Sequence, residues 1–168
     1  MLVGLPGAGK SSLAAALSQR IPDARVLNKD EVRHALFDPC DYSAAERDIS
    51  FSAMLDAASY HLGRGRVVIV DGMAASLRHA EVDAAEAVAA DYDAFVATVL
   101  CDVSVEVAVV RCEAGGGAYL AANRDAALVY RLAADMTEPP GDYLTVDTTQ
   151  PIDKAAELAL GYIEETAQ

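Results

Sequence analysis

The chain contains few of the residues that mark several large classes of protein. It has no tryptophan, three cysteines and three lysines among 168 residues. An odd number of cysteines without a Cys-x-x-Cys pair argues against a disulfide framework or a zinc cluster. The pattern favours reduced structural thiols in a cytoplasmic protein. The three histidines are scattered and do not have the spacing of metal ligands.

The sequence also lacks long apolar runs. A membrane span needs about 18 or more consecutive apolar residues, and no such stretch occurs. No basic segment precedes an apolar one at the start, so we expect no targeting peptide and no membrane partner. With 53% hydrophobic residues, the chain can bury a sizeable core, and its length predicts a single domain over residues 1–168.

Positive charge is scarce. The formal net charge is −13. Proteins that bind long nucleic acids usually carry a basic surface patch, so the negative net charge disfavours nucleic acid as a partner. A local basic pocket is still compatible with the composition.

Short apolar strands alternate with helical segments along the chain. This alternation predicts an α/β fold with three layers, in which about five parallel strands have helices on both faces. Ligands of such sheets bind beyond the carboxyl ends of the strands. The predicted strands are 1–4, 25–28, 66–71, 94–101 and 143–146, and the predicted helices are 10–20, 31–37, 44–61, 76–91, 105–113, 124–136 and 151–165.

The first strand leads into a phosphate-binding loop. Residues 4–11 read Gly-Leu-Pro-Gly-Ala-Gly-Lys-Ser and fit the P-loop pattern G-x-x-x-x-G-K-S/T without mismatch. Glycines let successive N–H groups turn inward to cradle phosphate oxygens, and the following helix points its positive end at them. Lys10 is placed to bridge two phosphates, and the Ser11 hydroxyl to ligate Mg²⁺. The predicted nucleotide-binding residues are Gly4, Pro6, Gly7, Ala8, Gly9, Lys10, Ser11 and Ser12.

Two polar residues follow the second strand at helical spacing. Asp30 and Arg33 are three residues apart and therefore share a helix face. Beside a bound nucleotide, the carboxylate can accept the proton of an attacking hydroxyl, and the arginine can hold the acceptor. On spacing alone, a helix cap at Asp30 and a solvated charge at Arg33 explain the pattern equally well.

A carboxylate ends the most strongly predicted strand. Asp71 follows a run of four β-branched apolar residues and precedes Gly72. Its place at a strand end favours a role in the site. The alternative is an ordinary turn, because Asp-Gly pairs are common in turns.

The phosphate loop together with residues 28–33 resembles the AAA_33-like P-loop kinases, which are related to the 5′-hydroxyl polynucleotide kinases. The resemblance implies a P-loop NTPase fold with a sheet of the kinase type, and ATP and Mg²⁺ as cofactors. It further implies that Asp30 is the general base and that Arg33 contacts the acceptor. Asp71 would face the acceptor or a water molecule on Mg²⁺.

The same resemblance implies a flexible lid at about residues 113–124. Lid arginines in this family stabilise charge on the phosphoryl group as it is transferred. Arg111 matches the first of them. Relatives often carry a second arginine about four residues later, where this chain has Gly115, and Arg124 is the next candidate.

These observations favour an ATP- and Mg²⁺-dependent phosphotransferase with a hydroxyl acceptor. The acidic composition favours a small acceptor, such as a metabolite, a nucleoside or an antibiotic, and a 5′-hydroxyl polynucleotide kinase is the alternative. A P-loop NTPase or nucleotide switch is a further alternative, although the chain lacks the N-K-x-D motif of switch GTPases. A binding protein without activity would fit the missing lid arginine, but Lys10 and Asp30 are both present. The sequence does not predict an oligomeric state.

Overall fold

The computed structural model describes residues 1–73, 79–115 and 125–167. Within these ranges, strands and helices alternate nearly as the sequence predicts. The strands are β1 (Leu2–Val3), β2 (Arg25–Asn28), β3 (Val68–Asp71), β4 (Thr98–Asp102) and β5 (Tyr143–Asp147). The helices are α1 (Lys10–Ser18), α2 (Lys29–Leu36), α3 (Ala44–Leu62), α4 (His79–Ala90), α5 (Val105–Gly115), α6 (Ala126–Ala134) and α7 (Ile152–Thr166).

The strands are parallel throughout. One ladder joins β1, β4 and β5 in that order, and a second joins β2 to β3. A parallel bridge between Val3 and Met73 links the two ladders, so the strand order across them is β2-β3-β1-β4-β5. The predicted parallel sheet of about five strands is confirmed. Because β1 lies beside β3, and β3 beside β2, the residues that follow these three strands share one edge.

The apolar core lies on both faces of this sheet. One cluster packs α1 and α7 against the sheet and includes Leu13, Leu17 and Ala156. The other packs α3 and α4 against the opposite face and includes Phe51 and Met54. Helices on both faces confirm the predicted three layers. None of the described helices combines the length and the apolar character that a bilayer span requires.

The start of α2 differs from the sequence prediction. The helix begins at Lys29 and not at residue 31. Asn28 caps it, since its side-chain oxygen accepts hydrogen bonds from the backbone N–H groups of Asp30 (2.9 Å) and Glu31 (3.1 Å). Asn28 is also the last residue of β2, so the strand passes directly into the helix.

The predicted lid falls mostly outside the described residues. Its first part, 113–115, belongs to α5, which continues to Gly115 and is longer than the sequence predicts. The remainder, including Arg124, lies outside the described ranges.

Candidate active site

The loop between β1 and α1 is pressed against the elements beneath it. Gly7 has a φ of +79°, and a Cβ built there would lie 2.4 Å from the carbonyl oxygen of Ala108 on α5. A Cβ at Gly4 would lie 2.6 Å from the carbonyl oxygen of Cys101 on β4. Both distances are shorter than van der Waals contact allows, so the path of this loop requires glycine at these two positions.

A cleft of about 490 Å³ opens above the loop. This volume is typical of pockets that hold small ligands. Five of the eight predicted nucleotide-binding residues line it, whereas Ala8, within the loop, is fully buried. The lining residues are Gly7, Gly9, Lys10, Ser11, Ser12, Gly72, Arg111, Ala114, Gly115, Thr148 and Ile152.

Lys10 lies in the floor of the cleft. Its ammonium group donates hydrogen bonds to the carbonyl oxygens of Gly4 (2.9 Å) and Leu5 (2.7 Å). The side chain is buried. The ammonium group of Lys10 is thus held against the backbone of the phosphate loop. The phosphate oxygens of a bound ligand would compete with the two carbonyl oxygens for its hydrogen bonds.

Arg111 reaches the cleft from α5. Its guanidinium donates to the carbonyl oxygen of Gly7 at 3.4 Å, and to the hydroxyl and carbonyl oxygens of Thr148 at 3.3 and 2.9 Å. The predicted lid arginine therefore lies on the helix that precedes the predicted lid. Its positive charge is placed over the phosphate loop.

Thr148 is a site residue that the sequence analysis did not select. It follows β5, is 6% exposed, and donates its hydroxyl hydrogen to the carbonyl oxygen of Ala8 at 2.8 Å. Together with the contacts to Arg111, this bond ties the phosphate loop to the last strand. A hydroxyl residue just after a parallel strand was the signal that could have identified it.

Thr148→Val should lower the free energy of unfolding by about 1–3 kcal/mol, because it leaves the Ala8 carbonyl and the Arg111 guanidinium without this partner. Thr148→Ser keeps the hydroxyl and should stay close to the wild type. Urea unfolding of both variants measures the difference. Equal stability of the valine and serine variants would show that the hydroxyl does not hold the loop.

A second polar group lies at the ends of β2 and β3. Asn28 and Asp71 are paired across these strands, and the Asn28 amide donates to Asp71 Oδ2 at 2.7 Å. Asp71 is 1% exposed, and its Oδ1 has no hydrogen-bond partner among the described residues. A buried carboxylate oxygen in this state is costly unless a ligand or a water molecule satisfies it. Asp71 is the last residue of β3 and is buried, which argues against the alternative of an ordinary turn residue.

Asp71 immediately precedes Gly72, which lines the cleft together with the phosphate loop. Burial raises the pKa of the Cys101 thiol to about 12, with Lys10 opposing this shift and Asp71 adding to it. Cys101 packs directly beneath Gly4.

Asp30 and Arg33 lie on α2 beside this second group. Because Asn28 is the N-cap, the interpretation of Asp30 as the cap is wrong. Arg33 is 8% exposed and lies 5.5 Å from the ring centre of Tyr42, so the interpretation of a solvated charge is also wrong. Neither residue lines the cleft itself. Gly72 connects the two regions, since it lines the cleft and its backbone packs on Lys29.

The described residues include no cluster of three or more histidine, cysteine, aspartate or glutamate side chains that could hold a metal ion. Mg²⁺ at a nucleotide site is usually held by one or two protein ligands together with the phosphates. Ser11, exposed at the cleft, and the unpartnered oxygen of Asp71 are donors of the oxygen type that Mg²⁺ prefers.

Solved structures of small kinases share this fold. The APS kinase CysC of Mycobacterium tuberculosis, in complex with AMPPNP and APS, is 23% identical with a TM-score of 0.73, covering 97% of this chain and 95% of that one. A gluconokinase from Sinorhizobium meliloti 1021 is 18% identical with a TM-score of 0.72, covering 99% and 91%. At these identities, the likeness establishes the fold.

A curated protein is also similar over part of the sequence. An adenylyl-sulfate kinase of Shewanella sp. (strain MR-7) is 39% identical over 70 residues, which is 39% of this chain. The match spans 34% of that relative, about a third of its length.

A family model matches most of the chain. The model AAA_33, described as an AAA domain, covers residues 1–139. This range includes the phosphate loop, the polar group at the ends of β2 and β3, and α5 with Arg111. The match confirms the family to which the motifs point, and the chain therefore belongs to the AAA_33 family and has the fold of the P-loop kinases.

Proposed function

We propose that this protein is a kinase that transfers the γ-phosphoryl group of ATP, with Mg²⁺, to a hydroxyl group of a small molecule. The observation that carries the proposal is the arrangement of two adjoining half-sites. A phosphate loop with Lys10 and Ser11 lines the cleft, and a polar group with Asp30, Arg33 and Asp71 lies next to it, beyond Gly72. The names of the similar proteins, adenylyl-sulfate kinase and gluconokinase, support a small acceptor.

The donor half binds the phosphates of ATP. The backbone N–H groups of the glycine loop and the N-terminus of α1 favour the phosphate charge, and Lys10 exchanges its loop carbonyls for phosphate oxygens. Ser11 and Asp71 would hold Mg²⁺, which supplies positive charge at the phosphates. Arg111, over the loop, offsets charge that develops on the group being transferred, and Arg124 is the proposed second arginine of the lid.

The acceptor half activates the hydroxyl. Its oxygen forms a bond to the γ-phosphorus while the bond between that phosphorus and the β–γ bridging oxygen breaks, and ADP leaves with the electron pair. Asp30 accepts the hydroxyl proton as general base. Arg33 holds the acceptor in position, since its buried guanidinium lies on the same helix face, one turn after Asp30.

An acceptor panel tests this proposal. ADP release with Mg²⁺ is measured for nucleosides, sugars, sugar acids, aminoglycosides and 5′-hydroxyl oligonucleotides, with Lys10→Ala as the matched inactive variant. We expect release that depends on a small acceptor and is lost in the variant. Release that depends only on the oligonucleotide would establish the polynucleotide kinase instead, and release without any acceptor would establish an NTPase.

A further inference from the structure

Three arginines lie together at the amino ends of β2 and β3, although the chain as a whole carries a net charge of −13. Arg25 begins β2, and Arg64 and Arg66 lie in the segment that connects α3 to β3. Arg25 is paired with Val68 at the start of β3, and its backbone N–H donates to the carbonyl oxygen of Val67 at 2.9 Å. The parallel ladder therefore brings these residues, the arginine cluster, to one edge of the sheet.

The three charges of the arginine cluster act on one imidazole, that of His61 near the end of α3. The pKa of His61 is lowered by burial and next by the positive charges of the cluster, in the order Arg66, Arg25 and Arg64. Because a guanidinium can only donate, the contact of 3.3 Å between Arg66 Nη1 and His61 Nδ1 makes Nδ1 the acceptor. The ring proton of the neutral imidazole is then on Nε2. His61 thus adds a hydrogen-bond donor to the cluster.

The described residues do not neutralise the arginine cluster. None of its three members forms an ion pair with a described carboxylate, although two other arginines of the chain do so. Their side chains donate to uncharged acceptors, such as the carbonyl oxygens of Ala24 for Arg25 (3.1 Å) and of Tyr60 for Arg64 (2.9 Å). A guanidinium has five N–H donors, so most donors of the cluster are not engaged by described protein groups. Like charges that lie close together repel each other, and a bound anion would offset this repulsion.

The arginine cluster is accessible to solvent and is partly held in place. Arg64 is exposed, whereas the other two arginines and His61 are half-buried. The Arg64 guanidinium lies 3.5 Å from the ring centre of Tyr60, which is 55% exposed. A stacked guanidinium loses less conformational freedom when it binds a ligand, and salt screens half-buried charges less than fully exposed ones. Both effects favour the binding of an anion from solution.

The arginine cluster is distinct from the phosphate cleft. β2 and β3 run from the pair of Arg25 and Val68 to the pair of Asn28 and Asp71. At about 3.3 Å per residue, these two ends are about 10 Å apart along the strands. The cleft lies beyond the carboxyl ends, and no member of the cluster lines it. A ligand on the cluster would therefore be additional to the nucleotide and the acceptor.

We propose that the arginine cluster, together with the Nε2–H group of His61, forms a second anion site, which binds the phosphate or sulfate group of a small molecule. Planar guanidinium groups bind the paired oxygens of such groups through bidentate hydrogen bonds. A long polyanion is a poorer ligand, because the strongly negative chain would repel it outside the cluster. This inference does not depend on the proposed kinase function.

The titration of His61 tests the site without ATP or turnover. A bound anion would offset the positive charges that lower the pKa of His61, so this pKa should rise by about 1 pH unit. NMR of the imidazole protons measures it in sodium sulfate and in sodium chloride at equal ionic strength, and His61→Gln identifies the signal. We expect the rise in sulfate and a much smaller one in chloride. An equal rise in both salts would overturn the site, because it would show only that salt screens the charges.

Substitutions in the arginine cluster test which residues hold the anion. Arg66→Gln should weaken sulfate binding, followed through the His61 signal, by about 10- to 100-fold, the loss expected for charge-assisted hydrogen bonds. Arg66→Lys keeps the charge and should recover part of the affinity. Arg64→Gln, at an exposed position where the fold is not at risk, should also weaken binding, whereas Arg131→Gln removes an exposed arginine of α6 and should change nothing. Wild-type affinity in both Arg66→Gln and Arg64→Gln would reject the site.

Three phosphate compounds test the class of ligand. Inorganic phosphate, glucose 6-phosphate and a short oligothymidylate are titrated while the His61 signal is observed. We expect glucose 6-phosphate to bind at least as tightly as inorganic phosphate, and to bind more weakly to Arg66→Gln. A response to inorganic ions alone would mean that the cluster takes up free ions only, and would overturn the assignment. Tighter binding of the oligothymidylate than of glucose 6-phosphate would also overturn it, in favour of a nucleic acid strand.

Discussion

Asp30→Asn should lower kcat by about 10²- to 10⁴-fold, the contribution typical of a positioned general base. The amide has the shape of the carboxylate but cannot take up the proton of the acceptor hydroxyl. The helix should be unaffected, because its cap is formed by Asn28 and uses only the backbone N–H of Asp30. Binding of ATP should change little, since Asp30 does not line the phosphate cleft.

Glu31→Gln provides the matched control. Glu31 is the next residue on the same helix turn, is exposed, and donates its backbone N–H to the same cap. The two variants remove the same charge from nearly the same place, so a general effect of net charge would appear in both. Steady-state ADP release compares them. Equal rates in the two variants would reject Asp30 as the general base.

Gly7→Ala should have the largest effect on the phosphate loop. A side chain at a φ of +79° costs about 1–2 kcal/mol, and the Cβ would lie 2.4 Å from the carbonyl oxygen of Ala108, a backbone atom of α5. Overpacking of this kind adds about 1–3 kcal/mol. Since the loop must move away from α5 to relieve the contact, we expect the variant to lose affinity for ATP as well as stability.

Gly141→Ala separates the effect of the positive φ from the effect of the steric contact with α5. Gly141 has a similar φ of +75°, and nothing lies within 4 Å of a Cβ built there. In this variant the free energy of unfolding should fall by only about 1–2 kcal/mol, the cost of the backbone conformation, and ATP should bind normally. Urea unfolding and equilibrium binding of a fluorescent ATP analogue measure both quantities. Similar losses in the two variants would mean that contact with α5 does not fix the loop.

The phosphate loop was predictable because its requirements are local. Eight consecutive residues determine the turn, the inward N–H groups, the lysine and the hydroxyl, and the structure gives Gly7 the positive φ that such a loop needs. The alternation of strands and helices also predicted the parallel sheet, because each element can be recognised from the pattern of its own residues.

The helix start at α2 was not predictable from the same signals. Asn28 and Asp30 are both good capping residues. What distinguishes them is the pairing of Asn28 with Asp71 across β2 and β3, which ends the strand at residue 28 and brings the Asn28 amide to the carboxylate. This contact joins residues 43 positions apart, so nothing in residues 28–33 alone reveals it.

Long-range contacts also explain which features of the site could not be predicted from the sequence. Thr148 joins the phosphate loop through a hydrogen bond across 140 positions, and Arg111 joins it across 104. A lysine after a short strand is usually a surface residue, but Lys29 is buried. Its burial results from the packing of α2 against α3 and from contact with Gly72, which the sequence does not display.

Phosphoryl transfer to a hydroxyl is tested most directly by identifying the product that carries the phosphorus. ATP, Mg²⁺ and an acceptor that supports ADP release are incubated with the protein, and ³¹P NMR identifies the product. For a kinase with Asp30 as general base, we expect a phosphomonoester signal that grows in step with ADP, is absent without acceptor, and is suppressed in Asp30→Asn. Inorganic phosphate as the sole product, formed at the same rate with and without acceptor and unchanged in Asp30→Asn, would contradict it.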